Sequence, residues 1–435
     1  MAISTLGCKV NQYESAGILE TLDQSIYVSV PFNTKADCYI INTCTVTGRT
    51  EYQSRNLIRR AIRKNPDACI IVTGCYAQVA PHDLAGIPGV TLGAGNAEKD
   101  HIPRLMERLA KGDPQLLVGD ICEAREFSGL KPLKFAGHTR AFLKIQDGCN
   151  SFCSYCIVPY ARGHSRSLSH MDVLKEIETL ALADYREIVL TGIHLGVYGQ
   201  DLVPPSNLYE ITKHVDKNRL VERLRLSSIE ITEISDDLMR LLAEGTTLCK
   251  HLHIPLQSGD DAILSAMKRN YDSAFFGNRL RAISQAIPDI GLGLDVMVGF
   301  PGEGEKQFDN TLRLIAELPV AYLHVFPYSE RPGTVASRLP GRVAETIKKR
   351  RAEILRKLGQ EKRNAFAQRF VGKKVSVLIE DKKDRDTGLM RGLSDNYMPV
   401  AIQDGDSSLV NRVLNVIPAY SLKGKLYGRI ATDDR

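Results

Sequence analysis

Residues 140–163 read RAFLKIQDGCNSFCSYCIVPYARG, and this stretch decides how the fold is interpreted. An apolar run leads into three cysteines, Cys149, Cys153 and Cys156, in the spacing CxxxCxxC. Three closely spaced thiolates can hold three irons of a [4Fe–4S] cluster and leave the fourth iron open for a small ligand. A closed zinc site would need a fourth cysteine or histidine at zinc-finger spacing, and the neighbouring sequence offers none. The stretch therefore predicts an iron–sulfur cluster that follows a strand.

The chain has 435 residues, a length that predicts two or three domains. Its hydrophobic fraction of 43% and charged fraction of 25% are ordinary for globular proteins. No run approaches the length of an apolar membrane span, and residues 1–14 lack the features of a signal peptide. We therefore expect a cytoplasmic protein without a membrane partner, whose ten cysteines serve metal or thiol chemistry rather than disulfides.

The N-terminal region, residues 1–125, alternates apolar β runs with helical stretches, which predicts a flavodoxin-like open parallel sheet. Three cysteines, Cys8, Cys44 and Cys75, each come directly after a strand-like run. The carboxyl ends of neighbouring parallel strands face one crevice. We therefore expect these three thiols to converge although they are far apart in the sequence.

The central region follows a Gly- and Pro-punctuated linker at 126–139 and extends over 140–343. Six apolar runs alternate there with helical patterns, which predicts a partial (β/α)6 barrel, an open version of the eight-stranded fold. Such folds place their sites at the carboxyl ends of the strands. The candidate site residues are the polar ones that follow each run: Asp147, Thr191, Ser228, Gln257, Asp295 and Tyr328.

The C-terminal region predicts a basic linker helix over 344–370 and a small all-β barrel over 371–435, of a kind often used to bind RNA. Residues 331–435 contain 23 Lys+Arg against 12 Asp+Glu, whereas the rest of the chain is acidic. This distribution is typical of an enzyme that binds nucleic acid through its tail. A solvated helix face is the alternative interpretation.

The CxxxCxxC motif after a first barrel strand resembles the signature of the radical S-adenosylmethionine enzymes. That resemblance implies that the amino and carboxylate groups of S-adenosylmethionine chelate the open iron, and that Tyr155 lies near its adenine. We assign further S-adenosylmethionine contacts to Gly192, Ser228 and Gln257. Cluster and cofactor would carry the radical chemistry, while the protein would bind them and exclude water.

The order of the three regions resembles the methylthiotransferases, a resemblance that covers nearly the whole chain, with the tail similar to their TRAM RNA-binding domain. It rests on the strings IQDGCNSFCSYCIVPYARG, HIPLQSGDDAILSAMKRNY, DVMVGFPGE and FPYSERPGT. It implies that Cys8, Cys44 and Cys75 hold a second, auxiliary [4Fe–4S] cluster. The opening GCKVNQYE at 7–14 is similar to the branch that acts on threonylcarbamoyladenosine at position 37 of tRNA.

The resemblance implies transfer of a methylthio group to C2 of that adenine, with tRNA, an electron donor and a sulfur source as partners. It indicates no catalytic residue beyond the cluster ligands. Three alternatives stay open: isopentenyladenosine in tRNA as the substrate, a ribosomal protein as the substrate, or an iron–sulfur RNA-binding protein without turnover. Cys38 and Cys69 are interpreted as small buried residues, and Cys122 and Cys249 are unassigned.

Overall fold

A computed structural model of the chain describes residues 1–106 and 115–431. The chain forms two compact units, and each is built from separated stretches of sequence. The first unit comprises Met1–Ala136, Lys144–Leu168 and Ser329–Ser337, and it contains both cysteine triplets. The second comprises Gly137–Leu143, Ser169–Tyr328 and Arg338–Arg435. Within the described ranges, no helix is long and apolar enough to cross a membrane.

The first unit is built on a parallel sheet of five strands in sequential order. These strands are β1 (Ala2–Thr5), β2 (Cys38–Thr43), β3 (Cys69–Gly74), β4 (Leu92–Ala94) and β5 (Gln115–Leu117). The helices are α1 (Lys9–Glu20), α2 (Gly48–Lys64), α3 (Cys75–Val79), α4 (Pro81–Ala85) and α5 (Ile102–Met106). Ile18 of α1 and Ile58 of α2 belong to two separate apolar clusters of this sheet, so both of its faces are covered. The predicted open parallel sheet is confirmed.

The same unit contains the loop of the CxxxCxxC motif. The chain leaves strand β6 (Ala141–Lys144) and forms a short antiparallel pair, β7 (Gln146–Asp147) with β8 (Arg166–Ser167). The cysteine loop and a one-turn helix, α6 (Val158–Arg162), lie between these two strands. The pair therefore brings the two ends of the loop together.

The second unit contains the central barrel, whose strands form two three-stranded sheets in the orders β10-β9-β6 and β11-β12-β13. Parallel bridges between Leu224 and Leu248 and between Ser228 and His253 connect the two sheets. The strands after β6 are β9 (Glu187–Thr191), β10 (Arg223–Leu226), β11 (His251–Gln257), β12 (Gly291–Val298) and β13 (Tyr322–Pro327). The helices are α7 (His170–Leu182), α8 (Leu208–Asn218), α9 (Asp236–Glu244), α10 (Asp261–Ala266), α11 (Ser273–Ala286) and α12 (Glu305–Glu317). The six-stranded partial barrel is confirmed.

The tail consists of helix α13 (Glu345–Gln368) and a closed barrel in the order β14-β15-β16-β18-β17. Its strands are β14 (Val375–Lys383), β15 (Met390–Ser394), β16 (Pro399–Ile402), β17 (Val413–Leu422) and β18 (Lys425–Ile430). Alternate residues of β14 point into the core of this barrel: Val375, Val377 and Ile379. Phe366 of α13 and Phe370 of the turn that follows it belong to the same core. The period-two pattern of the sequence thus gives the predicted small all-β barrel.

Candidate metal centres

The CxxxCxxC loop is held in a tight conformation. Gly148 has a φ of +73°, and a Cβ atom there would lie 1.9 Å from the carbonyl oxygen of His164, so only glycine fits. The N–H of Cys149 donates to the carbonyl of Gly163 at 3.0 Å, and the N–H of Cys156 donates to the carbonyl of Cys153 at 3.0 Å. All three cysteines of the motif are half-buried. The loop therefore collects three partly accessible thiols on one short turn.

The three N-terminal cysteines follow their strands at the carboxyl edge of the sheet. Cys8 precedes the first residue of α1, Cys44 follows β2, and Cys75 begins α3 directly after β3. Burial raises the pKa of the Cys44 thiol to about 11, and the neighbouring thiols of Cys75 and Cys8 add to this shift. A Cβ atom on Gly7, the residue before Cys8, would lie 3.0 Å from Cys44 Sγ. One on Gly74, the residue before Cys75, would lie 2.4 Å from the carbonyl oxygen of Thr43, so the three cysteines lie at one edge of the sheet.

Asparagine side chains fix the backbone around these cysteines. Asn11 Nδ2 donates to the carbonyl of Leu6 at 2.7 Å and to that of Thr43 at 3.0 Å. Asn96 Nδ2 donates to the carbonyl of Ala161 at 2.6 Å and lies 3.8 Å from Cys75 Sγ. These amides tie strand ends that are distant in sequence to one another and to the CxxxCxxC loop.

A cluster of buried charges lies beneath the two sets of cysteines. Arg162 Nη1 is 2.5 Å from Glu14 Oε1 and 3.2 Å from Asp147 Oδ2, and Lys144 Nζ lies 3.2 Å from the same Glu14 oxygen. Lys99 also contacts Glu14. Burial alone would raise the pKa of Glu14, but the charge of Arg162, followed by Lys99 and Lys144, lowers it well below its ordinary value. The carboxylate is therefore ionised inside the protein.

The segment 329–337 closes over the loop that follows Cys44. Arg331, only 5% exposed, donates to Thr45 Oγ1 at 2.8 Å and pairs with Glu51 at 3.0 Å. The N–H of Ala336 donates to the carbonyl of Ser154 inside the CxxxCxxC loop at 2.7 Å. This segment therefore contacts the surroundings of both cysteine triplets.

The residues assigned to S-adenosylmethionine occupy different parts of the chain. Tyr155 is half-buried in the CxxxCxxC loop of the first unit. In the second unit, Gly192 follows β9, Ser228 forms a parallel bridge to His253, and Gln257 ends β11. Gln257 has a φ of +63° and is buried, and its Oε1 has no hydrogen-bond partner among the described residues. This oxygen can therefore accept a hydrogen bond from a ligand or a water molecule.

Four residues of neighbouring strands form a polar cluster on the second sheet of the barrel. Asp295 Oδ1 lies 2.9 Å from His253 Nε2 and 3.4 Å from His324 Nδ1, and the Tyr322 hydroxyl bonds His253 Nδ1 at 3.1 Å. Burial would raise the pKa of Asp295, but the hydrogen bonds to His253 and His324 lower it far below the ordinary range. Of these residues, the sequence indicated only Asp295.

The cysteines outside both triplets have separate surroundings. Cys38 and Cys69 are register partners at the starts of β2 and β3, with Cys38 buried and Cys69 half-buried. Cys249 is buried, and this burial raises its pKa to about 12. Cys122 is exposed. None of these four belongs to the two sets of converging thiols.

Sequence reasoning missed the residues that hold the cysteines in place. Asn11, Glu14 and Arg162 stand inside the motifs GCKVNQYE and PYARG, but no spacing shows that they meet. Arg331 stands inside FPYSERPGT, and the structure makes it a buried anchor. Asn96 carries no motif at all. The only available signal was the presence of Asn11, Glu14 and Arg162 within a few residues of motif cysteines.

Comparisons with known proteins agree with this architecture. Residues 1–93 match the uncharacterized protein family UPF0004, and residues 143–315 match the radical SAM superfamily. The solved structure of the radical S-adenosylmethionine methyltransferase TsrM from Kitasatospora setae aligns with a TM-score of 0.54 at 15% identity. It covers 74% of this chain and 72% of its own, which shows a shared fold alone.

Several curated relatives are similar over almost the full length. The threonylcarbamoyladenosine tRNA methylthiotransferase MtaB of Bacillus subtilis is 39% identical over 420 residues, 96% of this chain and 93% of that protein. The protein of the same name from Aquifex aeolicus is 37% identical, over 92% of this chain and 96% of its own. A tRNA-2-methylthio-N(6)-dimethylallyladenosine synthase of Clostridium novyi is 33% identical over 98% and 96%. The chain therefore belongs to the radical S-adenosylmethionine methylthiotransferase family, with its MtaB members among the most similar relatives.

Proposed function

We propose that this chain is a tRNA methylthiotransferase that adds a methylthio group to C2 of N6-threonylcarbamoyladenosine at position 37, beside the anticodon. The observation that carries the proposal is that the strand ends beside Cys8, Cys44 and Cys75 meet at one edge of the sheet, in the same compact unit as the CxxxCxxC loop. The identity of 36–40% to four proteins named as threonylcarbamoyladenosine tRNA methylthiotransferases supports this substrate over the alternatives.

Each cysteine triplet would hold one [4Fe–4S] cluster. Cys149, Cys153 and Cys156 would ligate the cluster that binds S-adenosylmethionine, and Cys8, Cys44 and Cys75 would ligate the auxiliary cluster. Three thiols per site leave one iron open in each cluster. The fit is supported by the partly accessible thiols of the first set and by the surplus of positive charge buried beside both sets. When bound, the clusters and S-adenosylmethionine would supply the radical and the methylthio group.

The protein's own contribution would be to bind and orient the cofactor. Tyr155 would contact the adenine of S-adenosylmethionine, and Gly192, Ser228 and Gln257 would contact the rest of it. Gln257 is the best supported of these, because its buried side-chain oxygen needs a hydrogen-bond donor.

The tail barrel would bind the tRNA. A cavity of about 690 Å³ lies against it. Six cationic residues and two acids line this cavity: Arg363, Lys382, Lys383, Arg385, Arg391, Lys425, Asp384 and Asp386. Lys425 pairs with both acids. The exposed residues Lys382, Lys383 and Arg385 remain as sites for phosphate groups.

The proposed domain organisation follows from these roles. An auxiliary-cluster domain spans 1–125, a linker 126–139, the radical domain 140–343, a basic helix 344–370 and the RNA-binding domain 371–435. The enzyme would work in the cytoplasm, where its tRNA substrate is found. It would also need an electron donor and a sulfur source, both supplied by other molecules.

Mass spectrometry of tRNA nucleosides tests the substrate. A strain that lacks the gene should lose 2-methylthio-threonylcarbamoyladenosine, and the wild-type gene should restore it. Unchanged levels of this nucleoside would contradict the proposal. Loss of 2-methylthio-isopentenyladenosine instead would assign the enzyme to the other tRNA branch.

Iron content and product formation in cysteine variants test the two clusters. The reconstituted wild-type chain should bind about eight irons. Cys8→Ala should bind about four and still release 5′-deoxyadenosine from S-adenosylmethionine, but without methylthio product. Cys149→Ala should lose both products, whereas the exposed Cys122→Ala is the matched control and should behave like the wild type. A Cys8→Ala variant with full iron content and activity would overturn the two-cluster assignment.

A further inference from the structure

Three consecutive residues, Ala161–Gly163, contact the surroundings of both cysteine triplets. The carbonyl of Ala161 accepts from Asn96 Nδ2 at 2.6 Å, and the same amide nitrogen lies 3.8 Å from Cys75 Sγ. The carbonyl of Gly163 accepts the N–H of Cys149 at 3.0 Å. The carbonyl before Arg162 therefore bonds the Asn96 amide that contacts Cys75, and the carbonyl after Arg162 bonds the N–H of Cys149.

The Arg162 side chain extends this connection to the other two N-terminal cysteines. Its Nη2 donates to Asn11 Oδ1, and Asn11 Nδ2 holds the carbonyls of Leu6 and Thr43. Leu6 stands two residues before Cys8, and Thr43 directly precedes Cys44. Asn11, on helix α1, thus connects the Arg162 guanidinium to the backbone just before Cys8 and Cys44.

The charges buried around Arg162 do not balance. The cluster contains four cations and two carboxylates, and the most exposed of the six has a relative accessibility of only 8%: Lys99, Lys144, Arg162, Arg166, Glu14 and Asp147. Arg166 donates to the carbonyls of Arg162 and His164 and is not neutralised by them. These six described residues thus carry two more positive than negative charges, a buried surplus that is unfavourable unless an anion lies nearby.

The unsatisfied donor of Arg162 indicates where this anion belongs. Its Nε–H is buried and has no acceptor among the described residues. Asn11, which accepts from Arg162 Nη2, has its own Nδ2 3.3 Å from the position of a Cβ atom on Gly7, so the guanidinium lies near the turn that carries Cys8. An iron–sulfur cluster held by three thiolates would be a negatively charged group that fits this arrangement.

We propose that Arg162 is the positioning residue that connects the two cysteine sites and supplies buried positive charge that would stabilise an anionic ligand of the auxiliary cluster. This inference rests on the proposed function, because it requires a cluster at Cys8, Cys44 and Cys75. A cation near a cluster favours the state with the extra electron and raises the reduction potential. The carboxylate of Glu14 lowers the reduction potential, because its negative charge offsets part of the positive charge of Arg162.

The test measures the midpoint potential of the auxiliary cluster by EPR-monitored redox titration. The full-length chain carries Cys149→Ala, Cys153→Ala and Cys156→Ala, so that only the auxiliary cluster contributes to the signal. Arg162→Gln should shift the potential downward, Glu14→Gln should shift it upward, and Arg162→Lys should stay near the parent value. A residue with a purely structural role would not give shifts of opposite sign for two members of one ion cluster.

A second measurement uses hydrosulfide as the probe. Its affinity for the reconstituted cluster, followed by the change in the EPR spectrum, should fall about tenfold in Arg162→Gln and be retained in Arg162→Lys. If Arg162→Gln does not fold, Arg162→Lys and Glu14→Gln still decide the result. Unchanged potentials, or shifts of the same sign, in variants with full iron content would overturn the inference. Failure of the parent chain to assemble any cluster would instead contradict the proposed two-cluster function.

Discussion

Glu187 is the residue on which the buried charges of the second unit converge. Its Oε1 lies 2.6 Å from Arg225 Nε, its Oε2 lies 3.5 Å from Arg223 Nη1, and Arg140 is nearby. Burial alone would raise its pKa, but the charge and hydrogen bonds of Arg225, with help from Arg140 and Arg223, lower it from 4.5 to about 2. This carboxylate is therefore ionised at neutral pH, and its ionisation is more favourable in the folded than in the unfolded state, so it stabilises the fold.

We expect Glu187→Gln to reduce the free energy of unfolding by about 3 kcal/mol at pH 7, because it leaves several buried arginines without a counterion. A lowered pKa stabilises the fold above the unfolded value, and this contribution is lost as the pH falls from about 4.5 to about 2. Urea titrations followed by circular dichroism at pH 7, 5 and 3 check this. The difference in the free energy of unfolding between wild type and variant should become smaller at pH 3. A difference that stays constant would contradict the role of this charge.

Gln257 gives a second prediction for a single residue. Gln257→Ala should raise the KM for S-adenosylmethionine about tenfold, because the buried Oε1 would no longer meet its donor on the cofactor. Stability should change little, because the change also removes a buried polar atom without a partner in the protein. Initial rates of 5′-deoxyadenosine formation give the KM. Gln307→Ala, which alters only a helix N-terminal contact of α12, is the control.

The elements that carry the N-terminal cysteines are strand ends followed by tight turns. Gly7 and Gly74 directly precede Cys8 and Cys75, and both have a φ near +95°. A Cβ atom on Gly74 would lie 2.4 Å from the carbonyl oxygen of Thr43, the residue before Cys44. The turn between β3 and α3 therefore places two cysteines at once.

We expect Gly74→Ala to lose the auxiliary cluster and keep the CxxxCxxC cluster, with iron content falling to about half. The clash with Thr43 adds to the cost of the left-handed backbone, which by itself is about 1 kcal/mol. Gly372→Ala separates the two effects, because Gly372 has a φ of +78° and no atom within 4 Å of the added Cβ. Iron assays and thermal melts of both variants check this, and equal iron loss in the two would refute the steric argument.

At the scale of the whole molecule, the tail is packed against the barrel of its own unit. Arg225 donates to the carbonyls of Ser394 and Asp395, and Arg223 donates to the carbonyls of Ser376 and Leu393. Removal of residues 371–435 would leave these buried guanidinium groups without their backbone acceptors, with only Glu187 of the described residues still bonded to them. Truncation would therefore destabilise the second unit, and surface substitutions are the cleaner test of RNA binding.

The triple variant Lys382→Ala, Lys383→Ala, Arg385→Ala should weaken tRNA binding, because up to three phosphate contacts are lost. The slope of log affinity against log salt concentration should decrease in magnitude by about two. Filter binding at several salt concentrations measures both quantities. The control replaces the exposed residues Lys175, Lys213 and Lys217 on α7 and α8 by alanine, with the same charge change. Equal losses in both triple variants would mean that net charge alone governs binding.

The sequence determined the fold class and the two sets of cysteines. Period-two and helical patterns are local, so they revealed the parallel sheet, the partial barrel and the tail barrel. The CxxxCxxC spacing is local as well. The expectation that Cys8, Cys44 and Cys75 converge required one non-local rule, that parallel strands end at the same edge.

Only the tertiary structure decided which polar residues serve these sites. Arg162 meets Asn11 and Glu14 across about 150 positions of sequence, and Arg331 meets Thr45 across 286. No pattern in a single sequence records such contacts, because side-chain pairing inside a core depends on packing and on the balance of buried charge. The sequence thus shows where the thiols lie along the chain, and only the tertiary structure shows which charged residues surround them.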